Sequence, residues 1–160
     1  MPDEDQAPQV EIVDFQQTRV AMLEHRGDED SIGESVRRFI AWRKEVGLVP
    51  PASATFNLFY EGPNSGPDDF DIGLCAATDR EVEPNSAGVV DAMIPGGRCA
   101  VLRHIGSERR LPESIHHLLA IWLPQSGESK RNFPFFCQRV HFGPGVPEHE
   151  WITDIFLPLR

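Results

Sequence analysis

RVAMLEHRG at residues 19–27 returns as RCAVLRHIG at residues 98–106, and this repeat is the main indication of the architecture. Arginine, alanine, leucine, histidine and glycine recur in register in the two copies, without a gap and about 80 residues apart. Each copy is a short apolar run that ends at a glycine, which predicts a strand followed by a turn. The match indicates two related structural units rather than chance similarity.

A segment with helical spacing of its apolar residues follows each copy. In the first copy, Ser31 and Glu34 have the spacing of a capping box. In the second copy, Pro112 suits the first turn of a helix. A full apolar stripe comes after it, formed by Ile115, Leu118, Leu119, Trp122 and Leu123. Both helices are predicted to end before a glycine, at Gly47 and at Gly127.

Two strand-like runs complete each unit. The inner runs are TFNLFY at 55–60 and FFCQRVHF at 135–142, and they are followed by the pairs Gly62-Pro63 and Gly143-Pro144. The outer runs are DIGLC at 71–75 and DIFL at 154–157. The sequence therefore predicts an α+β fold of two tandem strand-helix-strand-strand modules, related by a pseudo-twofold axis around a central ligand cleft.

These units set the predicted domain boundaries. We expect a single domain over residues 9–160, with module one at 9–80, module two at 88–160 and an N-terminal tail at 1–8. One such module has a single helix, which cannot cover a sheet well, so we expect the two modules to share a core.

Composition excludes several classes of protein. The 160 residues carry a net charge of −10, which argues against nonspecific binding to nucleic acid. The acidic N-terminus is not a signal peptide, and no apolar run is long enough to span a membrane, so we expect a cytoplasmic protein without a membrane partner. Three widely spaced cysteines fit a reducing compartment and predict neither a disulfide framework nor a zinc site.

The repeated polar residues point to structure rather than to catalysis. His25 and His104 end corresponding strands, and Asp71 and Asp154 begin corresponding strands, as expected of residues kept for turns and backbone contacts. The chain has no nucleophile elbow, phosphate-binding loop, zinc-protease motif or dinucleotide fingerprint. We therefore predict no catalytic residue, no metal and no cofactor, and lean against an enzyme.

The inner strand of the second module carries the least repeated residues. Alternation places Cys137, Arg139 and His141 on one face of that strand. Alignment on the two Gly-Pro pairs matches them with residues of the first module. The six predicted ligand-binding residues are thus Phe56, Leu58, Tyr60, Cys137, Arg139 and His141. Cys137 is open to two interpretations, a nucleophile activated by its neighbours or a small packed residue, and burial statistics favour the second.

Specific motifs of the chain resemble the GyrI-like small-molecule-binding domain family. They are the opening RVAMLEHRG, a tryptophan late in each predicted helix (Trp42 and Trp122), NLFYEGP at 57–63, PFFC at 134–137 and TDIFLPL at 153–159. That family includes DNA gyrase inhibitory proteins and the effector-binding domains of AraC-type and MerR-type regulators. The resemblance implies an effector-binding-domain-like fold of two strand-helix-strand-strand modules around a ligand groove, over nearly the whole chain.

The chain departs from the family at its ligand-recognising strand. The family has a P-x-F-E-x-Y pattern there, whose Glu is associated with cationic, lipophilic ligands, and here the Glu position is Cys137 and the Tyr position is Arg139. A desolvated cation needs a carboxylate partner. The departure therefore predicts a hydrophobic ligand that is neutral or anionic.

Three functions stay open on the sequence alone. The leading one is a stand-alone module that senses or sequesters a small molecule, without a DNA-binding domain of its own and without direct contact to nucleic acid. The second is a small hydrolase of reactive natural products, using Cys137 with His141 or Tyr60. The third is inhibition by protein contact, with DNA gyrase or a regulator as the partner.

Overall fold

The computed structural model describes residues 9–27, 31–60 and 70–160, and these form one antiparallel sheet with helices on one of its faces. The eight strands are β1 (Val10–Phe15), β2 (Thr18–Gly27), β3 (Thr55–Tyr60), β4 (Phe70–Ala77), β5 (Val90–Ile94), β6 (Gly97–Ile105), β7 (Phe136–His141) and β8 (Ile152–Pro158). The predicted turn at Gly62-Pro63 and the predicted tail at 1–8 lie outside the described residues.

The strand order is β1-β6-β8-β7-β3-β4-β2-β5. The order is symmetric: if each of β1 to β4 is replaced by its counterpart among β5 to β8, and the reverse, the same order results when it is read from the other edge of the sheet. The strands β3 and β7 form the central pair. The prediction of three strands in each module was wrong, because each half begins with one more. These leading strands pair across the halves, β1 with β6 and β5 with β2. The strand β5 lies in a part of the chain where the sequence analysis places no strand.

The helix α1 (Ile32–Val46) ends as the sequence predicts and begins differently. Gly47 closes it in the left-handed region, at φ 81°, and the amide of Gly47 donates to the carbonyl of Arg43. The predicted capping box is absent from the N-terminus, since the Ser31 side chain makes no cap hydrogen bond. The Ser31 hydroxyl lies 3.4 Å from Nε2 of His25 instead.

A second helical stretch crosses the other half of the sheet. It consists of α2 (Leu111–His116), a π-helical segment (His117–Trp122) and α3 (Leu123–Ser126), and Gly127 follows at φ 77°. Pro124 explains the wide turns, because its ring lacks the amide that would bond to the carbonyl of Ala120. Leu118 on this stretch is fully buried against the sheet.

Aromatic contacts show that the sheet is curled. Phe15 of β1 and Phe56 of β3 have ring centroids 6.1 Å apart, although three strands lie between theirs in the sheet. In a flat sheet those strands would be about 19 Å apart. The concave face, opposite the helices, is therefore filled with its own side chains, and Phe136 and Phe156 stack at its centre with centroids 5.0 Å apart.

The helix face is covered by two separate clusters. The helix α1 packs Phe39 and Trp42 on Leu74, and the second helical stretch packs Leu118 on Cys137 and its neighbours. None of the helices in the described part of the chain is long and apolar enough to cross a membrane.

Candidate ligand-binding site

The central strands β3 and β7 decide which side chains meet under the helices. In their antiparallel register Thr55 lies opposite Arg139, and Asn57 lies opposite Cys137. Directly opposite residues project to the same face. These four residues therefore belong to the helix face. Alternation sends their sequence neighbours to the concave face.

This register splits the six residues predicted to line one cleft. Phe56 and Leu58 are buried in the aromatic cluster of the concave face, and Tyr60 borders the same cluster. Cys137 and Arg139 lie on the helix face instead. His141 is exposed beyond a bulge that separates it from Arg139.

The expectation that all six residues share one face was wrong because the alignment of β3 with β7 was shifted by one residue. The Gly-Pro alignment matches Cys137 with Phe56, whereas the strands place Asn57 opposite Cys137. Loop insertions shift such an anchor, and a shift of one residue moves every side chain to the other face.

A cavity of about 440 Å³ lies between α1 and the helix face of the sheet, a size suited to a small molecule. Most of its wall is apolar, contributed by α1, β4 and the connection between β7 and β8. These apolar residues are Ile32, Val36, Phe39, Ile40, Ile72, Leu74, Phe142 and Trp151. Four polar side chains complete it, which are Arg43, Thr55, Asn57 and Arg139, with Glu108 at the rim.

Arg139 is the centre of the polar floor. Its Nε donates to Oδ1 of Asn57 at 2.8 Å, and its Nη1 donates to Oγ1 of Thr153 at 3.4 Å. Nη1 also forms an ion pair with the carboxylate of Glu108. The amide of Asn57 is held in turn, since its Nδ2 donates to the carbonyl of Phe56 at 3.0 Å. The floor is therefore ordered before any ligand arrives.

Arg43 brings a buried positive charge to the same cavity. The residue is 5% exposed, and its guanidinium donates to the carbonyl of Leu48 at 2.6 Å, to Oγ1 of Thr55 at 2.8 Å and to the carbonyl of Ser53 at 3.1 Å. All three acceptors are neutral, and no described carboxylate forms an ion pair with it. Burial lowers the pKa of Arg43 to about 10, because its charge is desolvated without an anionic partner.

Cys137 is not placed for nucleophilic chemistry. The residue is fully buried against the second helical stretch. Burial raises the pKa of its thiol to about 12, although the neighbouring Arg139 guanidinium acts in the opposite direction. At neutral pH the thiol therefore keeps its proton, and a thiol is a poor nucleophile compared with a thiolate.

The repeated histidines hold the helices to the strands. Nδ1 of His25 lies 2.8 Å from Oγ of Ser35, and Nδ1 of His104 lies 2.8 Å from Oγ of Ser114. Both rings are buried. Each pair joins the end of a strand to the helix that follows, which agrees with the structural role predicted for these residues.

The repeated aspartates pair with arginines of neighbouring strands. Asp71 lies 3.4 Å from Nε of Arg26, and Asp154 accepts two hydrogen bonds from Arg103 at 2.8 and 3.0 Å. Both pairs are contacts between side chains of neighbouring strands, whereas the sequence predicted contacts with turns and backbone groups. Within the described ranges, no group of three His, Cys, Asp or Glu side chains could hold a metal ion.

Sequence reasoning missed four polar members of the cavity, Arg43, Thr55, Asn57 and Glu108. Asn57 carried a signal, since it is the one amide within the apolar run TFNLFY. Arg43 sits on the turn of α1 that also holds the buried Trp42, where a charge is unusual. Glu108 carried none, because it reaches Arg139 only through the fold.

A second hollow of about 600 Å³ lies between the end of α1 and the connection at 78–87. Its wall contains the carboxylates of Glu45, Glu81 and Glu83. Its wall is therefore more polar and more acidic than that of the cavity beneath α1, which is the better candidate for binding a small hydrophobic molecule.

The chain is similar to known proteins over nearly its whole length. Residues 8–160 match the family model described as the GyrI-like small molecule binding domain. The chain is 36% identical over 152 residues to the "Probable transcriptional regulator YgiV" of Escherichia coli K12, covering 94% of this chain and 95% of that protein.

Two solved structures illustrate the likeness in fold. The C-terminal domain of EcmrR superposes with a TM-score of 0.77 at 16% identity, over 97% of this chain and 99% of that one. A protein from Listeria innocua described as a hydrolase superposes with a TM-score of 0.64 at 11% identity, over 98% and 95%. At these identities the likeness shows a shared fold.

Proposed function

Since the chain belongs to the family of the GyrI-like small-molecule-binding domain, we propose that it binds a hydrophobic small molecule, neutral or anionic, in the cavity beneath α1. One observation carries this proposal. The cavity combines a predominantly apolar wall with a few ordered polar groups at its floor, the composition that small-molecule sites share.

The charges around the cavity support the choice of ligand. Among the described residues that line it, two arginines stand against one glutamate, in a chain whose net charge is −10. The position where the family resemblance implies a cation-recognising Glu is the buried, neutral Cys137. A cationic ligand would meet Arg43 and Arg139 without a free carboxylate to compensate.

We propose that ligand binding serves a regulatory system, as sensing or sequestration. The similarity to a protein named as a probable transcriptional regulator supports this role, and the chain spans 95% of that protein. The acidic composition argues against contact with DNA, so a separate partner would read the bound state. The gyrase-contact alternative stays a prediction of the sequence, and the buried Cys137 thiol does not favour the hydrolase.

We also infer that the two halves arose by duplication. The repeated stretches form β2 and β6, and the strand order reads the same after the halves are exchanged. The two His–Ser pairs support this origin, since each half keeps the same strand-to-helix contact.

Filling the cavity tests the proposed site. Calorimetric titration would compare three probes with one ring system: biphenyl carboxylate, biphenyl carboxamide and biphenylmethylammonium. The carboxamide is expected to bind, and Val36→Phe should weaken it at least about tenfold because the added ring occupies the cavity. The matched control is Val46→Phe, on the same helix and outside the cavity, which should leave binding unchanged. Equal binding to both variants would rule out this cavity.

A further inference from the structure

We infer that the ligand is an amphipathic carboxylate whose head group takes the place of Glu108 on Arg139, beside the buried charge of Arg43. The inference rests on the proposed function, since it concerns the same cavity. It adds a defined ligand class and a contact within the protein that the ligand must break.

Arg139 still has donors to offer. Nε and Nη1 are engaged by Asn57, Thr153 and Glu108, whereas no described residue accepts a hydrogen bond from Nη2. The side chain is 16% exposed and lines the cavity. A carboxylate in the cavity can therefore take Nη2 together with Nη1, in the two-bond arrangement that guanidinium groups prefer.

Glu108 is a replaceable partner. Its side chain is 44% exposed and belongs to a three-residue 3₁₀ turn, Glu108–Arg110. Once released, this carboxylate returns to water at little cost, because nearly half of its side chain is already solvated. Exchange of Glu108 for a ligand carboxylate thus preserves the charge balance at Arg139.

Arg43 gives the ligand an advantage that Glu108 does not have. Arg43 donates to the hydroxyl of Thr55, and Thr55 lies directly opposite Arg139 in the sheet. The two guanidinium groups therefore converge on one cross-strand pair. A buried charge with neutral partners alone is costly, and an anion inside the cavity relieves that cost.

The remaining wall defines the other end of the ligand. Val36 and Phe39 of α1 face Ile72 and Leu74 of β4, and Trp151 closes the rim. These side chains offer no hydrogen bond to a polar tail, except for the indole of Trp151, whose Nε1 already donates to the carbonyl of Val146 at 2.9 Å. The tail of the ligand is therefore apolar.

Titration of the three biphenyl probes tests the head group. The carboxylate should bind at least about tenfold more tightly than the carboxamide, and biphenylmethylammonium should bind weakest. Arg139→Gln, whose amide can still donate to Asn57, should remove the preference for the carboxylate and spare the carboxamide. Arg139→Lys should restore part of the preference because it restores the charge.

A second variant tests the exchange itself. Glu108→Gln removes the competing carboxylate and should tighten binding of biphenyl carboxylate about threefold to tenfold, with no change for the carboxamide. Glu113→Gln, in the helical turn that follows, controls for the general loss of one negative charge. Lys130→Gln controls for a carboxylate held by exposed cations elsewhere, and it should change nothing.

The outcomes separate the two proposals. If the carboxamide binds, Val36→Phe abolishes its binding and the carboxylate shows no advantage, the ligand class is wrong and the proposed site stands. If Glu108→Gln behaves as Glu113→Gln does, the exchange is wrong. If none of the three probes binds the purified chain, both proposals are overturned.

Discussion

The two ends of the central strand pair face the helices with opposite chemistry. At one end Thr55 and Arg139 lie opposite each other under α1, and at the other Phe59 and Phe135 lie opposite each other near the second helical stretch. The two phenyl rings stack with centroids 5.1 Å apart and an interplanar angle of 9°. Asn57 and Cys137 occupy the middle.

This contrast shows how one backbone arrangement serves two purposes. The stacked rings fill the space beneath the second helical stretch and contribute to the core. The polar pair leaves a cavity of about 440 Å³ and brings two arginines to its floor. The groove beside Phe59 and Phe135 is bordered by the exposed Lys130 and Arg160, whose charges are solvated and select a ligand only weakly. Both ends carry positive charges, but those under α1 are largely buried and those beside the aromatic pair are exposed.

Copying the aromatic end onto the polar end should produce the largest effect. The double substitution Thr55→Phe with Arg139→Phe fills the cavity, so binding of all biphenyl probes should fall by more than about 100-fold. Thr55→Val with Arg139→Met is the matched control, since it removes the polar groups without filling the space. That control should keep the carboxamide and lose the preference for the carboxylate. Equal losses of binding in both double variants would show that filling the space at the polar end does not account for the loss.

Truncating the aromatic end should affect stability and leave ligand choice alone. Phe135→Ala removes half of the stacked pair and is expected to lower the free energy of unfolding by roughly 2–3 kcal/mol, measured in urea. Phe142→Ala, an exposed ring at the rim of the cavity, should cost less than about 1 kcal/mol. If both substitutions cost the same, the aromatic end is not part of the core.

The smallest expected effect concerns the thiol between the two ends. The thiol of Cys137 has a pKa of about 12 in the folded protein and about 9 in the unfolded chain. Burial of the neutral thiol therefore contributes fully to the free energy of unfolding below about pH 9. This contribution is lost as pH rises toward the folded value. Stability should therefore decline with alkaline pH less steeply in Cys137→Ala than in the wild type.

Urea unfolding at about pH 8 and about pH 10.5 would measure this slope. Cys75→Ala is the control on the concave face, where burial also raises the thiol pKa to about 12, and it should flatten the slope in the same way. An unchanged slope in Cys137→Ala would mean that its thiol ionises normally in the folded protein.

The repeat predicted much of the fold because it consists of patterns among residues that are close together in the sequence. Helical spacing, the stop glycines and the strand-like runs are short-range patterns, and α1, the second helical stretch and six of the strands follow from them. The leading strands β1 and β5 escaped because each makes its hydrogen bonds with a strand of the other half. Pairing of that kind is set by the folded chain rather than by neighbours in sequence.

The site was predicted in part for the same reason. Arg139, which lines the cavity, was identified because the two copies differ there, and that difference is local. Cys137 was identified for the same reason, but it packs against the second helical stretch. Phe56 and Leu58 were assigned to the wrong face, since the register of β3 against β7 depends on a single residue of loop length. Arg43 and Glu108 meet the site only through tertiary contacts, which no spacing in the sequence records.

The crossed pairing of the leading strands makes the domain a natural two-fragment system. A cut in the connection at 78–89, which no strand occupies, would divide three hydrogen-bonded strand pairs between the two pieces, β1 with β6, β2 with β5 and β3 with β7. The first piece would expose the edges of β2 and β3, and the second would expose the edges of β6 and β7. Exposed edges seek a partner strand. Reassembly would therefore be a bimolecular event that depends on fragment concentration, and a ligand held under α1 and against β7 would draw the two pieces together.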